Sequence, residues 1–291
     1  MQGLIIGNIA NLYKIKLNNK IYSATARGRF KKDETTPVVG DLVEIGVIDE
    51  EKKEAVIEKI HPRKSYIKRP KVANVSQVIL VLSTKDPKPD LLMLDKQLAY
   101  SEFLNIEPII VINKIDLSQD YKEIEKLYTE IGYKVYAVSA KDITTVKQLK
   151  NSLKDNISVL AGNSGVGKST TINAIFENNI TQEGVISEKN KRGKNTTTDV
   201  KLYEIDENSY IVDTPGFSTF EITEIESKDL DKYFREFESQ IKNCRYVGCT
   251  HIKENECGIK YAIEKGKINS NRYERFCKIY NELKEKEDRK W

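Results

Sequence analysis

Between residues 3 and 64 hydrophobic and polar positions alternate in short runs. Residues 4–9, 12–17 and 20–24 read as strands, followed by 41–45 and 54–60. A two-residue period puts one face of each run in a core, and Gly, Asn and Asp between the runs supply the turns. Five such strands within about 60 residues predict a small β-barrel. An OB-fold, which commonly binds oligonucleotides, and an SH3-like barrel both fit that strand count.

After His61-Pro62 the rhythm changes. Residues 77–82, 108–112, 134–138 and 157–161 are continuous apolar runs, separated by helical stretches at 90–104, 121–132 and 146–154. Unbroken apolar strands alternating with helices predict a parallel sheet covered on both faces. A helix over 168–177, a polar loop over 178–198 and two strands, 200–205 and 210–213, follow. From Ser227 onward the chain reads as helical and charged. The expected organisation is therefore multidomain. It comprises a barrel over 1–64, an α/β nucleotide-binding domain over 65–222 and a helical domain over 223–291.

Composition narrows the class. With 32% charged residues and no 18-residue apolar run, a membrane span is not expected. The first residues lack a basic segment followed by an apolar one, so a cytoplasmic protein is expected. The net charge of +4 hides an asymmetry. Residues 1–72 hold 15 Lys/Arg against 9 Asp/Glu, residues 73–234 hold 19 against 25, and residues 235–291 hold 14 against 10. Basic ends around an acidic middle suggest a polyanionic partner such as nucleic acid.

The chemistry lies in short motifs at strand ends. Gly162, Asn163, Ser164, Gly165, Val166, Gly167, Lys168 and Ser169, followed by Thr170, spell a phosphate-binding loop between a strand and a helix. Backbone N–H groups and the helix N-terminus would cradle phosphates there. Lys168 would reach the β- and γ-phosphates, and the Ser169 hydroxyl would bind Mg²⁺. Asp213, ending an apolar strand in Asp213-Thr214-Pro215-Gly216, would hold Mg²⁺ through water, and the Gly216 N–H would sense the γ-phosphate. Between them Thr196, Thr197 and Thr198 are candidates to complete the magnesium shell, with Thr197 taken as the ligand.

Two further motifs select the base. Asn113-Lys114-Ile115-Asp116 ends one apolar strand and Ser139-Ala140-Lys141 ends another. The Asp116 carboxylate can accept from both N1–H and N2–H₂ of guanine; adenine offers no such donor pair, so it would be rejected. Lys114 would stack along the base, Asn113 would tie its loop to the phosphate loop, and the Ala140 N–H would donate to O6. These motifs together predict a GTPase whose guanine motifs precede its phosphate loop, a circularly permuted order.

Four cysteines occur, three of them close together. Cys244, Cys249 and Cys257 with His251 form a Cys3His set suited to one structural Zn²⁺. Cys277 reads as a lone core thiol and His61 as a turn residue.

With these residues in hand, the chain resembles the circularly permuted bacterial GTPases of small ribosomal subunit biogenesis, the RsgA family. The likeness rests on Arg27-Gly28-Arg29-Phe30, Val39-Gly40-Asp41, the permuted order, the phosphate loop, Arg192-Gly193-Lys194-Asn195-Thr196-Thr197-Thr198, Asp213 to Phe217 and the Cys3His spacing. The resemblance implies an OB-fold, a permuted GTPase domain and a zinc-binding C-terminal domain. It also implies docking of a monomer on 16S rRNA in the 30S subunit during late maturation, with hydrolysis of GTP to GDP stimulated by the subunit. Two readings stand beside it: a nucleotide-gated RNA-binding module, and a GTPase acting on RNA outside ribosome assembly. One departure is visible. Many members carry histidine where this chain has Asn195, and Phe217 stands where Ras-like enzymes place a water-orienting glutamine. Slow intrinsic turnover is the expected consequence.

Overall fold

The N-terminal alternation forms five strands in the computed structural model of the chain: β1 (Gln2–Ile9), β2 (Leu12–Leu17), β3 (Lys20–Ala26), β4 (Leu42–Asp49) and β5 (Glu54–Ile60). The structure describes residues 1–27, 36–139, 141–177, 200–213, 222 and 224–289. Two compact units contain them. The first comprises residues 1–78, 146–160 and 169–217, the second 79–145, 161–168 and 218–291.

In the first unit, β1 pairs antiparallel with both β2 and β4, β2 with β3, and β4 with β5, while β3 runs parallel to β5. That ring of pairings closes a five-stranded barrel, and the single parallel pair is what separates an OB-fold from a simple meander. The alternation predicted from sequence is the inward face: Ile5, Tyr13, Ile15, Tyr22, Val43, Ile45 and Ile57 are buried. Strands β3 and β4 run further than their sequence pattern suggested, and a hairpin of β6 (Tyr66–Lys68) and β7 (Lys71–Ala73) follows that alternation did not reveal. At three residues per strand it is too short for a period to register.

The barrel's exit is held by a charge pair. Asp41 is fully buried and accepts both Nε and Nη2 of Arg63, at 2.7 and 2.8 Å, and the backbone N–H of Val38 at 2.8 Å. A bidentate pair with its remaining valences filled is the arrangement in which a buried carboxylate is tolerated.

The same unit carries β11 (Ile157–Ala161), β12 (Lys201–Asp206) and β13 (Ser209–Asp213), in strand order β11-β13-β12-β1-β2-β3-β5-β4. β11 runs parallel to β13, as the apolar runs predicted, but β12 runs antiparallel to it. The connection Glu207-Asn208, with Asn208 at φ 56°, is a two-residue hairpin turn and cannot carry a crossover. β12 also meets the barrel. Gly7 of β1 faces Lys201, Lys16 pairs with Glu204, and the Lys16 ammonium lies 5.6 Å from the Tyr210 ring centroid.

In the second unit, β8 (Gln77–Ser83), β9 (Glu107–Asn113) and β10 (Lys134–Val138) lie in the order β10-β9-β8, and β9 is parallel to β10. Helix α1 (Leu91–Phe103) starts at Asp90, whose Oδ1 accepts from Met93 N at 2.9 Å. α2 (Tyr121–Ile131) follows β9. α3 (Ile143–Ser152), whose residues from Val146 belong to the first unit, begins ahead of the expected 146 because Asp142 accepts from Thr144 N at 2.9 Å. α4 (Lys168–Glu177) opens at the phosphate loop, and from Ser169 onward it belongs to the first unit. The tail supplies a 3₁₀ helix (Ser227–Tyr233), α5 (Arg235–Ile241), α6 (Gly258–Glu264) and α7 (Ser270–Asp288).

α7 packs on α1 and on the 3₁₀ helix. At their junction Phe234, Phe237 and Phe276 form an aromatic cluster with ring centroids 4.9–5.3 Å apart. Arg272, 1% exposed, lies against the Phe234, Tyr128 and Tyr133 rings and pairs with Asp95 of α1 and Glu236 of α5. Asp95, wholly buried, also takes Arg275 and the Tyr128 hydroxyl. No helix among the described residues is long and apolar enough to cross a membrane.

Candidate nucleotide site and metal centre

The phosphate-loop residues, up to Lys168, and both guanine motifs lie in the second unit. Gly162, Gly165 and Gly167 have φ of 138°, 79° and 97°, values that residues with a Cβ rarely adopt. Sterics make two of them obligatory. A Cβ on Gly162 would sit 2.2 Å from the Val81 carbonyl oxygen, and one on Gly167 would sit 2.2 Å from Asn113 Nδ2. Asn113 occupies that space because its Nδ2 donates to the Val166 carbonyl at 2.9 Å. The guanine loop and the phosphate loop are thus fastened together through a buried amide.

Lys168 curls back, donating to the Gly162 and Asn163 carbonyls at 2.6 and 2.8 Å, and burial lowers its pKa. Those carbonyls hold the ammonium at the centre of the loop's curve, where an incoming polyphosphate would meet it. Ser164, Gly165, Ser169 and Thr170 are exposed, and Val166 is buried under the loop. Ser169 offers a hydroxyl oxygen, a hard donor suited to Mg²⁺, from the first turn of α4. Thr197, Gly216, Ala140, Asn195 and Phe217 lie outside the described residues. Asp213 ends β13, and its side chain lies outside the description.

The 113–116 and 139–141 motifs are similarly fixed. Asp116 Oδ1 accepts from Ser139 Oγ at 3.0 Å, and Oδ2 pairs with Lys141 Nζ at 2.7 Å. Lys141, then Ser139, holds the Asp116 carboxyl below the usual carboxylate range, so it stands ionised as an acceptor. Lys114, at φ 61°, donates to the Gly165 carbonyl at 2.8 Å and to the Asp86 carbonyl. Its stem therefore spans from the guanine loop to the phosphate loop.

Sequence reasoning missed the loop between β8 and α1. Thr84 Oγ1 donates to the Lys114 carbonyl at 2.7 Å, Asp86 receives the Lys114 ammonium, and Asp90 Oδ2 accepts from Asn163 Nδ2 at 3.3 Å. The sequence pattern put Asp90 at the start of the 90–104 helix; its role as the cap and its contact to Asn163 were not foreseen.

In the tail, Cys244, Cys249, His251 and Cys257 each turn one ligand atom inward, all within 4.8 Å of one another. His251 Nδ1 lies 3.3 Å from Cys257 Sγ and 3.6 Å from Cys244 Sγ. Burial first, then the neighbouring thiols Cys257 and Cys244, push the Cys249 thiol up to about 12. A dication among them would reverse that sign by stabilising the thiolates. The support is also in place. His251 Nε2 faces Asp231 Oδ2 at 3.3 Å, the carboxylate partner that orients a metal-binding imidazole. Tyr273 Oη donates to the His251 carbonyl at 2.6 Å. Burial raises the Glu254 pKa, but N–H donors from Thr250 and its neighbours outweigh it and bring Glu254 down to about 2. Asp231 carries no spacing signal that could have marked it in the sequence. These four residues fit a metal ion.

A closed five-stranded barrel, a phosphate loop downstream of its own guanine motifs and a Cys3His cluster define a circularly permuted P-loop GTPase. The RsgA GTPase family model matches residues 60–223 and the RsgA N-terminal domain model residues 2–57. Similar curated proteins include the small ribosomal subunit biogenesis GTPase RsgA of Clostridium acetobutylicum, 44% identical over 285 residues, 97% of this chain and 98% of that protein. The protein of that name from Alkaliphilus metalliredigens is 40% identical over the same coverage. Among solved structures, YjeQ from Thermotoga maritima matches with a TM-score of 0.85 and 36% identity, covering 97% of this chain and 98% of that one. YloQ, described as a circularly permuted GTPase, matches at 0.82 and 30%, covering 98% and 95%. The chain belongs to the RsgA family of GTPases.

Proposed function

We propose that this protein hydrolyses GTP in the late maturation of the small ribosomal subunit. It would work as a cytoplasmic monomer that docks on 16S rRNA in the 30S subunit, which stimulates the reaction. The observation that carries the reading is the pairing, in one unit, of an ionised guanine-reading carboxylate, Asp116, with a phosphate loop fastened to it through Asn113. The relatives' shared name supplies the ribosomal setting. We read the chain as three domains, 1–64, 65–222 and 223–291.

In this reading Gly162 to Thr170 wrap the phosphates, and Asn113, Lys114, Ser139, Ala140 and Lys141 frame the base around Asp116. Lys168 leaves the loop carbonyls for the β- and γ-phosphate oxygens and offsets charge there. Magnesium, held by Ser169, Thr197 and Asp213, would supply charge neutralisation between the phosphates. Gly216 would register the γ-phosphate through its N–H. Zinc is the metal that a Cys3His set best suits, one per chain, in a structural role since protein ligands fill all four positions. Basic residues on the barrel and tail would meet RNA phosphates.

Neither Asn195 nor Phe217 can act as a general base. Orientation of the attacking water therefore falls to the subunit. A missing positioning group costs about 10³–10⁵ in rate. Single-turnover hydrolysis with purified 30S subunits should run far faster than with protein alone or with naked ribosomal RNA. Rapid turnover by the isolated protein, indifferent to subunits, would sink the proposal.

A further inference from the structure

Helix α1 meets the phosphate loop at its N-terminal end. Asp90 uses one oxygen to cap the helix and the other to hold Asn163, at 2.9 and 3.3 Å. Beside that contact lies a cavity of about 20 Å³, lined among others by Asp90, Leu94, Gln97, Gly162, Asn163 and Val166. Gln97 is 2% exposed, and its Nε2 has no hydrogen-bond partner among the described residues. A buried amide N–H with no acceptor is costly, and native structures rarely keep one. The space suffices for a single water, which needs about 10–15 Å³ and two to four polar partners. The lining residues include them: Gln97 brings the free donor, and Asp90 and Gly162 bring acceptors, a carboxylate and a carbonyl.

We propose that this cavity binds one ordered water that accepts from Gln97 Nε2 and donates to acceptors at Asp90 and Gly162. With the Asp90–Asn163 contact, that water lets α1 hold the first turn of the phosphate loop from beneath. Gln97 and Asp90 are then positioning residues: neither touches nucleotide, and both set the conformation in which Gly162 and Asn163 receive it. The inference rests on the reading of residues 162–170 as the phosphate cradle. A water fits better than a larger guest because the volume admits nothing else, and better than an empty space because dry cavities are apolar.

Two measurements on the full-length protein test it. A high-resolution crystal structure with GDP should show a water within hydrogen-bond distance of Gln97 Nε2. Titration with a fluorescent GDP analogue should show Gln97→Met binding about three- to tenfold more weakly than wild type, the loss of one hydrogen bond. Gln97→Asn, which keeps an amide and leaves room for water, should retain more affinity than Gln97→Met. Asp90→Ser keeps the helix cap but is too short to reach Asn163, so it should weaken binding similarly. It carries the test if Gln97→Met gives no cooperative melt. A dry cavity overturns the proposal, as does wild-type affinity in the variants with only a lowered melting temperature, the mark of a purely structural role. Wild-type protein that binds no guanine nucleotide would overturn the cradle reading instead.

Discussion

Replacing Arg272 with Met tests whether the tail and the guanine-binding strands share one core. The methionine keeps length and apolar contact but removes the cation. Arg272 is wholly buried; burial alone would lower its pKa, yet Asp95 and Glu236 hold it well above its usual value. The variant therefore leaves two carboxylates without their principal partner. Asp95, fully buried, retains Arg275 and the Tyr128 hydroxyl, while Glu236 retains less. Breaking a buried pair from one side typically costs 3–5 kcal/mol, and Arg275 brings the expectation to about 3 kcal/mol. Against a total stability of about 5–15 kcal/mol that loss is large. It corresponds to a melting temperature lower by about 6–12 °C for a unit of this size. Urea and thermal unfolding, followed with and without GDP, would measure it. Adding Glu236→Gln to Arg272→Met removes the stranded charge and should recover at least about 1 kcal/mol. A single variant melting within about a degree of wild type, or a double variant no better than the single, would refute the claim that this network clamps α7 to α1.

Asp116→Asn should exchange guanine for xanthine nucleotides, since the xanthine O2 accepts where guanine donates; competition binding that still favours GTP would contradict it. Because Lys141 and Ser139 depress the Asp116 pKa, the ionised form, the one proposed to read guanine, persists below the ordinary carboxylate value and is lost only as pH falls through the lowered one. GTP affinity should thus stay flat down to about pH 4, and Lys141→Ala should move the fall to higher pH in the same titration. Gly167→Ala drives a Cβ onto Asn113 Nδ2 at a positive φ; nucleotide affinity should drop at least about tenfold, read by equilibrium binding. Metal analysis should find about one zinc per chain. Because the tail and the phosphate loop belong to one unit, a strong chelator should lower the melting temperature of the whole nucleotide-binding unit.

Strand period and motif spacing made much of this legible. Alternation marks the barrel's inward residues because each strand has one wet face. The continuous runs 77–82 and 108–112 mark β8 and β9, every residue of β8 being buried. Gly167 was readable as part of a motif, and the Asn113 tie to the phosphate loop was expected; that the Asn113 amide leaves Gly167 no room for a Cβ is a three-dimensional fact that no local pattern carries. Asp95 and Arg272 show the same limit more sharply. Hydropathy places both on a helix surface, and their burial follows from partners 177 residues apart. Asp231 behind His251 and Asp90 beneath Asn163 are single carboxylates, a residue type too common for one position to stand out.

The permuted order has a mechanical consequence that the anchors of the tail make specific. In this chain the last switch motif, ending at Gly216, lies eight residues before Glu224, which accepts from the Tyr100 hydroxyl of α1 at 3.0 Å. Three residues later Ser227 is fastened to α7 through both its N–H and its hydroxyl, which donate to Glu287 at 2.6 and 2.7 Å. The chain leaving the switch is thus tied within a few residues to the two helices that Asp95 and Arg272 bind together. A chain of eight residues reaches at most about 29 Å. The unit that holds those helices also carries the Cys3His cluster and, through Asp90, a contact to the phosphate loop. In an unpermuted GTPase the same switch would run on into the rest of the nucleotide fold. Here it runs into the unit that also carries the basic tail, so under the proposed function γ-phosphate sensing and RNA contact would need no further linker between them.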